Sequence, residues 1–357
     1  MAAITAQLVK ELRELTGVGM MDCKKALVAA DGDKDKAIDW LREKGLAAQT
    51  KKAGKVAAEG VSYATVIDSG VGAVIEVNSQ TDFVAKNATF QEFVRDVATV
   101  VAEQDPADVE ALKAATYPGT DRTVDAVTAD KVLAIGENIQ IRRFVRYADG
   151  INVPYVHMNG KIGVLVNLKA EGIEDKAAVV ELGKDLAMQI AAMSPAYVSS
   201  AEVPAEEVEK EKAVQLAKAL EEGAANTKIP EAKRQMIAEN KVKGRMNNFF
   251  AEVCLLNQAY VKENKTTVDE HVKAVAKQLG GKIEVVKFTR FVTGEGIEKK
   301  EDDFAAEVAS MIKYDRQIHK THPSGNRCGF RRDFRMYGER LNLPRTARPA
   351  SCPAACR

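Results

Sequence analysis

Ile139-Gln-Ile-Arg-Arg-Phe-Val-Arg-Tyr147 recurs 144 positions later as Ile283-Glu-Val-Val-Lys-Phe-Thr-Arg-Phe291, and the shared pattern I-x-[IV]-x-[RK]-F-x-R-[YF] sets the reading of the whole chain. β-Branched and aromatic content makes both copies strands. Upstream of each lies another strand-like run, Val74-Ile-Glu-Val-Asn78 and Val164-Leu-Val-Asn167, preceded by a glycine-bearing turn. A helical stretch follows each run, carrying Phe90, Phe93, Val94 and Val97 in the first case and Val180, Leu182, Leu186 and Ile190 in the second. The chain therefore contains an internal duplication whose unit is a hairpin, helices and a returning strand. Val74 to Ile139 spans 65 positions and Val164 to Ile283 spans 119, so the second unit carries an insertion of about 54 residues.

The insertion maps to the charged stretch from Ala201 to roughly Arg245. Ala213, Leu216, Ala217 and Leu220 form a helical stripe there, Gly223 is a stop, and Pro230 restarts a second helix through Met236 and Ile237. Two helices with narrow apolar seams make a hairpin that either meets a partner surface or stands as a solvated spur. Ahead of the duplication, Ile4, Leu8, Leu12 and Leu15 recur at helical spacing after Thr5, a candidate cap. Gly17 and Gly19 break that pattern, Cys23, Ala26, Leu27 and Ala30 resume it, and Asp33 can cap a third helix carrying Ala37, Ile38 and Leu41. These residues predict a three-helix bundle, joined to the duplication by a basic linker from Lys51 to Gly60.

The 357 residues, 46% hydrophobic and 29% charged, are enough for two or three modest cores. Neither a signal peptide nor a membrane span is expected, which predicts a cytoplasmic protein. The formal net charge of +1 conceals an asymmetry. From Ile312 to Arg357 eleven Lys or Arg face three Asp or Glu, a net of +8, which leaves −7 for the preceding 311 residues. A weakly acidic body argues against nucleic acid as the main partner. Of five cysteines only Cys23 and Cys254 lie in the body, too far apart in sequence for a disulfide framework.

No phosphate-binding G-x-x-x-x-G-K-[ST], no G-x-G-x-x-G after a strand and no H-E-x-x-H is present, and His157, His271, His319 and His322 are scattered. No catalytic residue, metal site or cofactor is assigned, and binding is the function left. Two stretches are specific: Leu12-Arg-Glu-Leu-Thr-Gly-Val-Gly-Met-Met-Asp-Cys-Lys-Lys-Ala-Leu27 and Gln80-Thr-Asp-Phe-Val-Ala-Lys86. Both resemble signatures of the elongation factor Ts family. Ile135-Gly-Glu-Asn-Ile139, Ile141-Arg-Arg143, Gly244-Arg-Met246, Gly294-Glu-Gly-Ile-Glu298 and Asp303-Phe-Ala-Ala-Glu-Val308 extend the resemblance, in order, over residues 1 to about 311.

The resemblance implies an α+β fold in five parts. An N-terminal three-helix ubiquitin-associated-like domain (1–55) precedes core subdomain N (56–147) and core subdomain C (148–292), two similar α/β units with antiparallel sheets. A helical-hairpin insertion (201–249), which serves dimerisation in some members, interrupts the second, and a C-terminal helical module (293–311) follows. It further implies a guanine nucleotide exchange factor that binds elongation factor Tu, GDP-bound or nucleotide-free, and acts without covalent chemistry. In the family the Asp-Phe pair matching Asp82 and Phe83, flanked by Thr81 and Val84, wedges into the GTPase near its magnesium and phosphates. Arg13, Met20, Met21 and Met311 match further contact residues, and His157 matches one less closely, because Val156, Met158 and Asn159 around it depart from the pattern.

Taken as residues alone, an Asp-Phe pair between a strand and a helix is also compatible with a buried Phe anchoring a loop. Adjacent methionines after two glycines either fill a core or form an adaptable docking surface. The basic segment 312–357 lies outside the resemblance and holds four of the ten prolines, which predicts disorder. A zinc site from His319, His322, Cys328, Cys352 and Cys356 fits the usual spacing poorly, and RNA association through the arginines is the remaining use of the tail. The alternative function is an adaptor or RNA-associated protein working through the bundle or the tail.

Overall fold

Thr5, Gly17 and Asp33 punctuate the N-terminal helices at the expected positions. In the computed structural model, which describes residues 4–224 and 230–298, these are α1 (Ala6–Thr16), α2 (Met20–Ala29) and α3 (Lys34–Lys52). Met311, most of the 293–311 segment and the whole 312–357 tail with its histidines and cysteines lie outside the described residues. The Thr5 hydroxyl accepts from the Leu8 N–H at 3.2 Å, and Asp33 accepts from the Asp35 and Lys36 N–H groups. Gly17 closes α1 at φ 68°, a conformation that costs a residue with a Cβ. Leu12, Cys23, Leu27, Ala37 and Leu41 are buried together as the bundle core. The expected linker is shorter than its composition suggested. The Ala- and Lys-rich end of α3 remains helical to Lys52, where Gln49 donates to Asp125 of a later helix, and the first strand begins at Glu59.

The duplication reappears as two three-stranded antiparallel sheets. The first has the order β1 (Glu59–Val66), β2 (Gly72–Ser79), β3 (Ile139–Tyr147); α4 (Asp82–Ala85), α5 (Ala88–Gln104), α6 (Val109–Ala114) and α7 (Val124–Ile135) lie between β2 and β3 in sequence. The second has the order β4 (Ile151–His157), β5 (Ile162–Glu171), β8 (Lys282–Val292). Between its last two strands come α8 (Lys176–Met193), α9 (Ala205–Ala224), α10 (Glu231–Val253), the short ribbon of β6 (Ala259–Tyr260) and β7 (Glu263–Thr267), and α11 (Val268–Gln278). The repeat extends to a local irregularity. Phe144 faces Ile75 and Phe288 faces Val166, and one residue further on each ladder shifts register, so that Arg142 and Val286 occupy the same bulged position of the shared pattern.

Helices cover the outer face of each sheet, with Phe90 and Phe93 of α5 fully buried, each contributing roughly 1.5–3 kcal/mol. The inner faces meet through Ala64, Val74, Tyr147, Leu165 and Phe291. β2 is consequently covered on both sides and buried at every one of its eight positions, which explains a nearly continuous apolar run in an antiparallel strand. Its one charged residue, Glu76, is buried with it.

The insertion is the helical pair α9 and α10, with Pro230 starting the second helix. Gly223 does not stop α9 but lies within its last turn. The stripe also turns differently from expectation. Ala219 of α9 and Ala238 and Met246 of α10 are buried in the seam, whereas Ala213, Ala217, Leu220 and Met236 stay exposed. Among the described residues the insertion consists of two helices, and the apolar positions turned away from their seam stay exposed. The chain returns to the second sheet through buried amides. Gln189 of α8 donates to Gln258 and to the Ala259 carbonyl and accepts from the Val261 N–H at 2.9 Å. Among the described residues no helix is long and apolar enough to cross a membrane.

A capping box starts α11: the Thr267 hydroxyl accepts from the Glu270 N–H at 3.2 Å, and the Glu270 carboxylate accepts from the Thr267 N–H at 2.9 Å. Thr267→Ala is expected to cost about 1 kcal/mol. Urea titration should show it as a lowered midpoint with an unchanged slope.

Candidate partner-binding site

Ser79 ends β2, and within three residues the chain turns from strand to helix. Thr81 is the N-cap of α4, its hydroxyl accepting from the Val84 N–H at 3.4 Å, and Asn87 caps the following α5 through the Thr89 and Phe90 N–H groups. The 80–86 segment is thus not an open loop but a single capped helical turn at the end of a buried strand. Its side chains divide sharply: Val84 is 7% exposed and packs in the first core, while Phe83 is 79% exposed. The buried-anchor role that an Asp-Phe pair can play falls to Val84, and the neighbouring Phe83 stands in solvent.

Asp82 forms an ion pair with Lys86 at 2.6 Å. Its hydrogen bond from Lys86 outweighs the small cost of burial and holds the carboxyl below the usual range, with the charge of Lys161 adding in the same direction. Lys161 pairs with Glu59 at 2.5 Å, and Glu59 stands opposite Ser79 in the sheet. The β4–β5 turn therefore sits at the same end of the sheets as Asp82. His157 ends β4 in this turn, with Nδ1 2.9 Å from the Tyr155 hydroxyl.

From below, the turn is gripped by the α7–β3 corner. Gly136 ends α7 at φ 86°. The next residue, Glu137, accepts from the Gln80 N–H at 3.2 Å, the Thr81 N–H at 3.0 Å and the Thr81 hydroxyl at 2.7 Å. Gln80 Oε1 accepts in return from the Asn138 N–H at 3.0 Å.

The second group of residues lies at the α1–α2 corner. Arg13 is exposed in the last turn of α1, and Met20 and Met21 are 56% and 66% exposed. The methionines open α2 rather than standing in a loop, because Gly19 is already the N-cap. They take no part in the bundle core, which Val18 and Cys23 supply. Leu15, which the apolar stripe of the first helix placed with Leu8 and Leu12, is instead 68% exposed, because it lies in the last turn beyond the packed face. It lines a groove together with Ile38, Arg42, Phe83, Asn87 and Tyr117. Arg13, Met20 and Met21 do not line this groove but lie on the same corner as Leu15. The fold thus brings the two signature stretches, some seventy residues apart, to one depression.

Among the described residues no three His, Cys, Asp or Glu side chains gather as a metal would need. Cys23 and Cys254 are buried free thiols, and burial pushes both up, away from the reactive thiolate.

A family model described as elongation factor TS matches residues 80–295, well over half of the chain. The chain belongs to the elongation factor Ts family. Similar proteins include the elongation factor Ts of Syntrophotalea carbinolica, 50% identical over 312 residues that cover 87% of this chain and 99% of the relative. Those of Clostridioides difficile (49% over 315 residues, 88% and 100%) and Rhodospirillum rubrum (48% over 322 residues, 88% and 100%) are comparable. The elongation factor Ts match begins at the capped turn itself and includes Thr81, Asp82, Phe83, Val84, Glu137 and His157; Arg13, Met20 and Met21 precede it.

Proposed function

We propose that this chain is a guanine nucleotide exchange factor that binds elongation factor Tu, GDP-bound or nucleotide-free, and promotes GDP release by wedging Asp82 and Phe83 near the partner's magnesium and phosphates. The observation that carries this reading is the exposure of Phe83 on a turn whose next residue is locked in the core. An aromatic ring held out on a rigid corner adds nothing to the stability of its own fold and is suited to insertion into another protein.

A GTPase holds its nucleotide through backbone amides and a magnesium ion, so a displacement of about an ångström weakens several charge-assisted contacts together. The ring of Phe83 supplies the displacement. The Asp82 carboxylate, kept ionised by Lys86, adds negative charge where phosphate oxygens must otherwise be neutralised. Exchange then follows from linkage: a factor that binds the nucleotide-free state more tightly than the GDP state weakens GDP by the same coupling energy. No covalent step is involved.

In this reading Arg13, Met20 and Met21 dock the bundle on the partner, and Leu15 joins them. Thr81 caps the turn and Val84 anchors it. His157 offers only Nε2 to a partner, since Tyr155 engages Nδ1. Met311, which lies outside the described residues, joins this reading only through the resemblance of the segment around it. The parts act as the division 1–55, 56–147, 148–292 with 201–249 inserted, 293–311 and the tail 312–357. A homodimer through 201–249 would cover Val214, Leu220 and Met236, which α9 and α10 leave exposed. The work belongs to translation elongation in the cytoplasm.

The test is release of a fluorescent GDP analogue from purified elongation factor Tu, with the full chain and with a chain ending at Met311. Both are expected to accelerate release, the tail being dispensable. No acceleration by either folded protein would overturn the reading in favour of an adaptor.

A further inference from the structure

We infer that Glu137 is the positioning residue of the wedge: its carboxylate holds the Gln80–Thr81 corner and thereby aims Phe83. This rests on the wedge reading given above. α4 is four residues long, and so short a helix cannot hold itself, because nucleating a turn fixes several dihedrals for one hydrogen bond. Something outside the turn must order it. One carboxylate takes three donors from the corner, two backbone N–H groups and the Thr81 hydroxyl, while that hydroxyl caps α4 by accepting from Val84. Glu137 therefore fixes both the backbone entering the turn and the orientation of the cap.

The brace is itself anchored. Asn138, buried, donates its side-chain amide to the Lys55 carbonyl at 2.7 Å and its backbone N–H to Gln80. Gly136, the αL residue ending α7, sets where Glu137 leaves the helix. On the far side, the Ser79 hydroxyl donates to the Thr81 carbonyl at 3.0 Å. Phe83 makes no core contact of its own, so its direction depends on this frame and on Val84 beneath it. Glu137 touches no partner atom in this scheme.

The experiment is a double-mutant cycle on GDP release from elongation factor Tu with the full chain, using Glu137→Ala, Phe83→Ala and the pair, accompanied by amide hydrogen exchange of the free protein. Glu137→Ala is expected to slow release by about ten- to a hundredfold, the effect of misplacing a group by roughly an ångström. In the Phe83→Ala background it should add nothing, because a badly aimed wedge and an absent one are equivalent. The amides of residues 80–84 should exchange faster while the global unfolding midpoint is kept. Glu137→Gln, which retains size and one acceptor oxygen but meets the Thr81 hydroxyl with an NH2 group, should fall between wild type and Glu137→Ala; it also serves as the variant should alanine impair folding.

Multiplicative effects in the cycle, or unchanged protection at residues 80–84, would overturn the positioning role. Unchanged release by Phe83→Ala alone would instead overturn the wedge. The amide protection would then still show, independently, whether Glu137 braces the turn.

Discussion

Phe83→Ala is expected to slow GDP release from elongation factor Tu by at least about thirtyfold at saturating factor. The figure follows from the roughly 2 kcal/mol or more that a central buried aromatic contributes to an interface, at about 1.4 kcal/mol per factor of ten. The loss should fall on the maximal rate. The proposed docking through the α1–α2 corner is separate from the proposed wedge, so the concentration of factor needed for half-maximal acceleration should change much less. Phe83→Leu should be intermediate, since it keeps apolar bulk without the ring. The fold should be indifferent to both changes: Phe83 is exposed and makes no core contact, and surface substitutions of that kind stay within about 0.5 kcal/mol. A thirtyfold loss with an unchanged melting midpoint therefore reports on function alone. An equal loss of stability would move Phe83 back among the structural residues.

The largest stability effect is expected at Glu76. This carboxylate is fully buried in β2 and accepts from Arg142 at 2.9 Å, Arg143 at 2.6 Å, Asn78 at 3.1 Å and the Gly294 N–H at 2.8 Å. Arg142 also donates to the Glu295 carbonyl, and Arg143 lies over the Phe291 ring. Glu76 thus ties the first sheet to the segment that leaves the second. Glu76→Ala leaves two guanidinium groups and a backbone amide without their acceptor. Breaking a buried pair in this way costs about 3–5 kcal/mol. Both guanidinium groups are partly exposed and can recover water, so the lower end of that range is the expectation.

The pH dependence carries a definite sign. Burial pushes the Glu76 carboxyl up, but the hydrogen bonds from Gly294, Arg142, Arg143 and Asn78 together outweigh it and hold the group below its ordinary value of 4.5. A carboxyl depressed by folding contributes stability that is complete above the unfolded value and is lost as pH falls through the folded one. The stability difference between wild type and Glu76→Gln should therefore be constant from neutral pH down to about 5 and shrink as the pH drops below the unfolded value. Urea midpoints measured across that range would show it. A difference that stayed constant into strong acid would mean that Glu76 does not titrate with folding.

Much of this molecule can be read without coordinates because its signals are local. Thr5, Asp33 and Asn87 are caps by residue type and position, and each accepts the N–H groups expected of it. The duplication was legible because two strands under the same packing demand keep the same residues, even to a bulge at the equivalent position. The structure departs from its local signals where the environment outweighs them. The run after Lys51 resembles a linker, yet its first residues stay helical because α3 has a second helix to lie against. The buried face of α9 lies one step around the helix from its apolar stripe, because nothing local tells which of several apolar positions a single neighbouring helix will cover.

The site divides along the same line. Sequence by itself determined the repeat and the inserted hairpin, which rest on residue order and short-range periodicity, and the resemblance of two signature stretches implied the α+β class and the elongation factor Ts family. Tertiary structure alone decided that Phe83 points outward while Val84 points in, because consecutive helical residues lie about 100° apart and only the packing of α4 on the sheet says which of them faces the core. It alone brought Leu15 to the groove beside Phe83, and set Glu137 beneath Thr81 across 56 positions of sequence. A carboxylate two residues past a helix end has no local mark of that task. Its three donors come from another part of the chain, and only the fold brings them within reach.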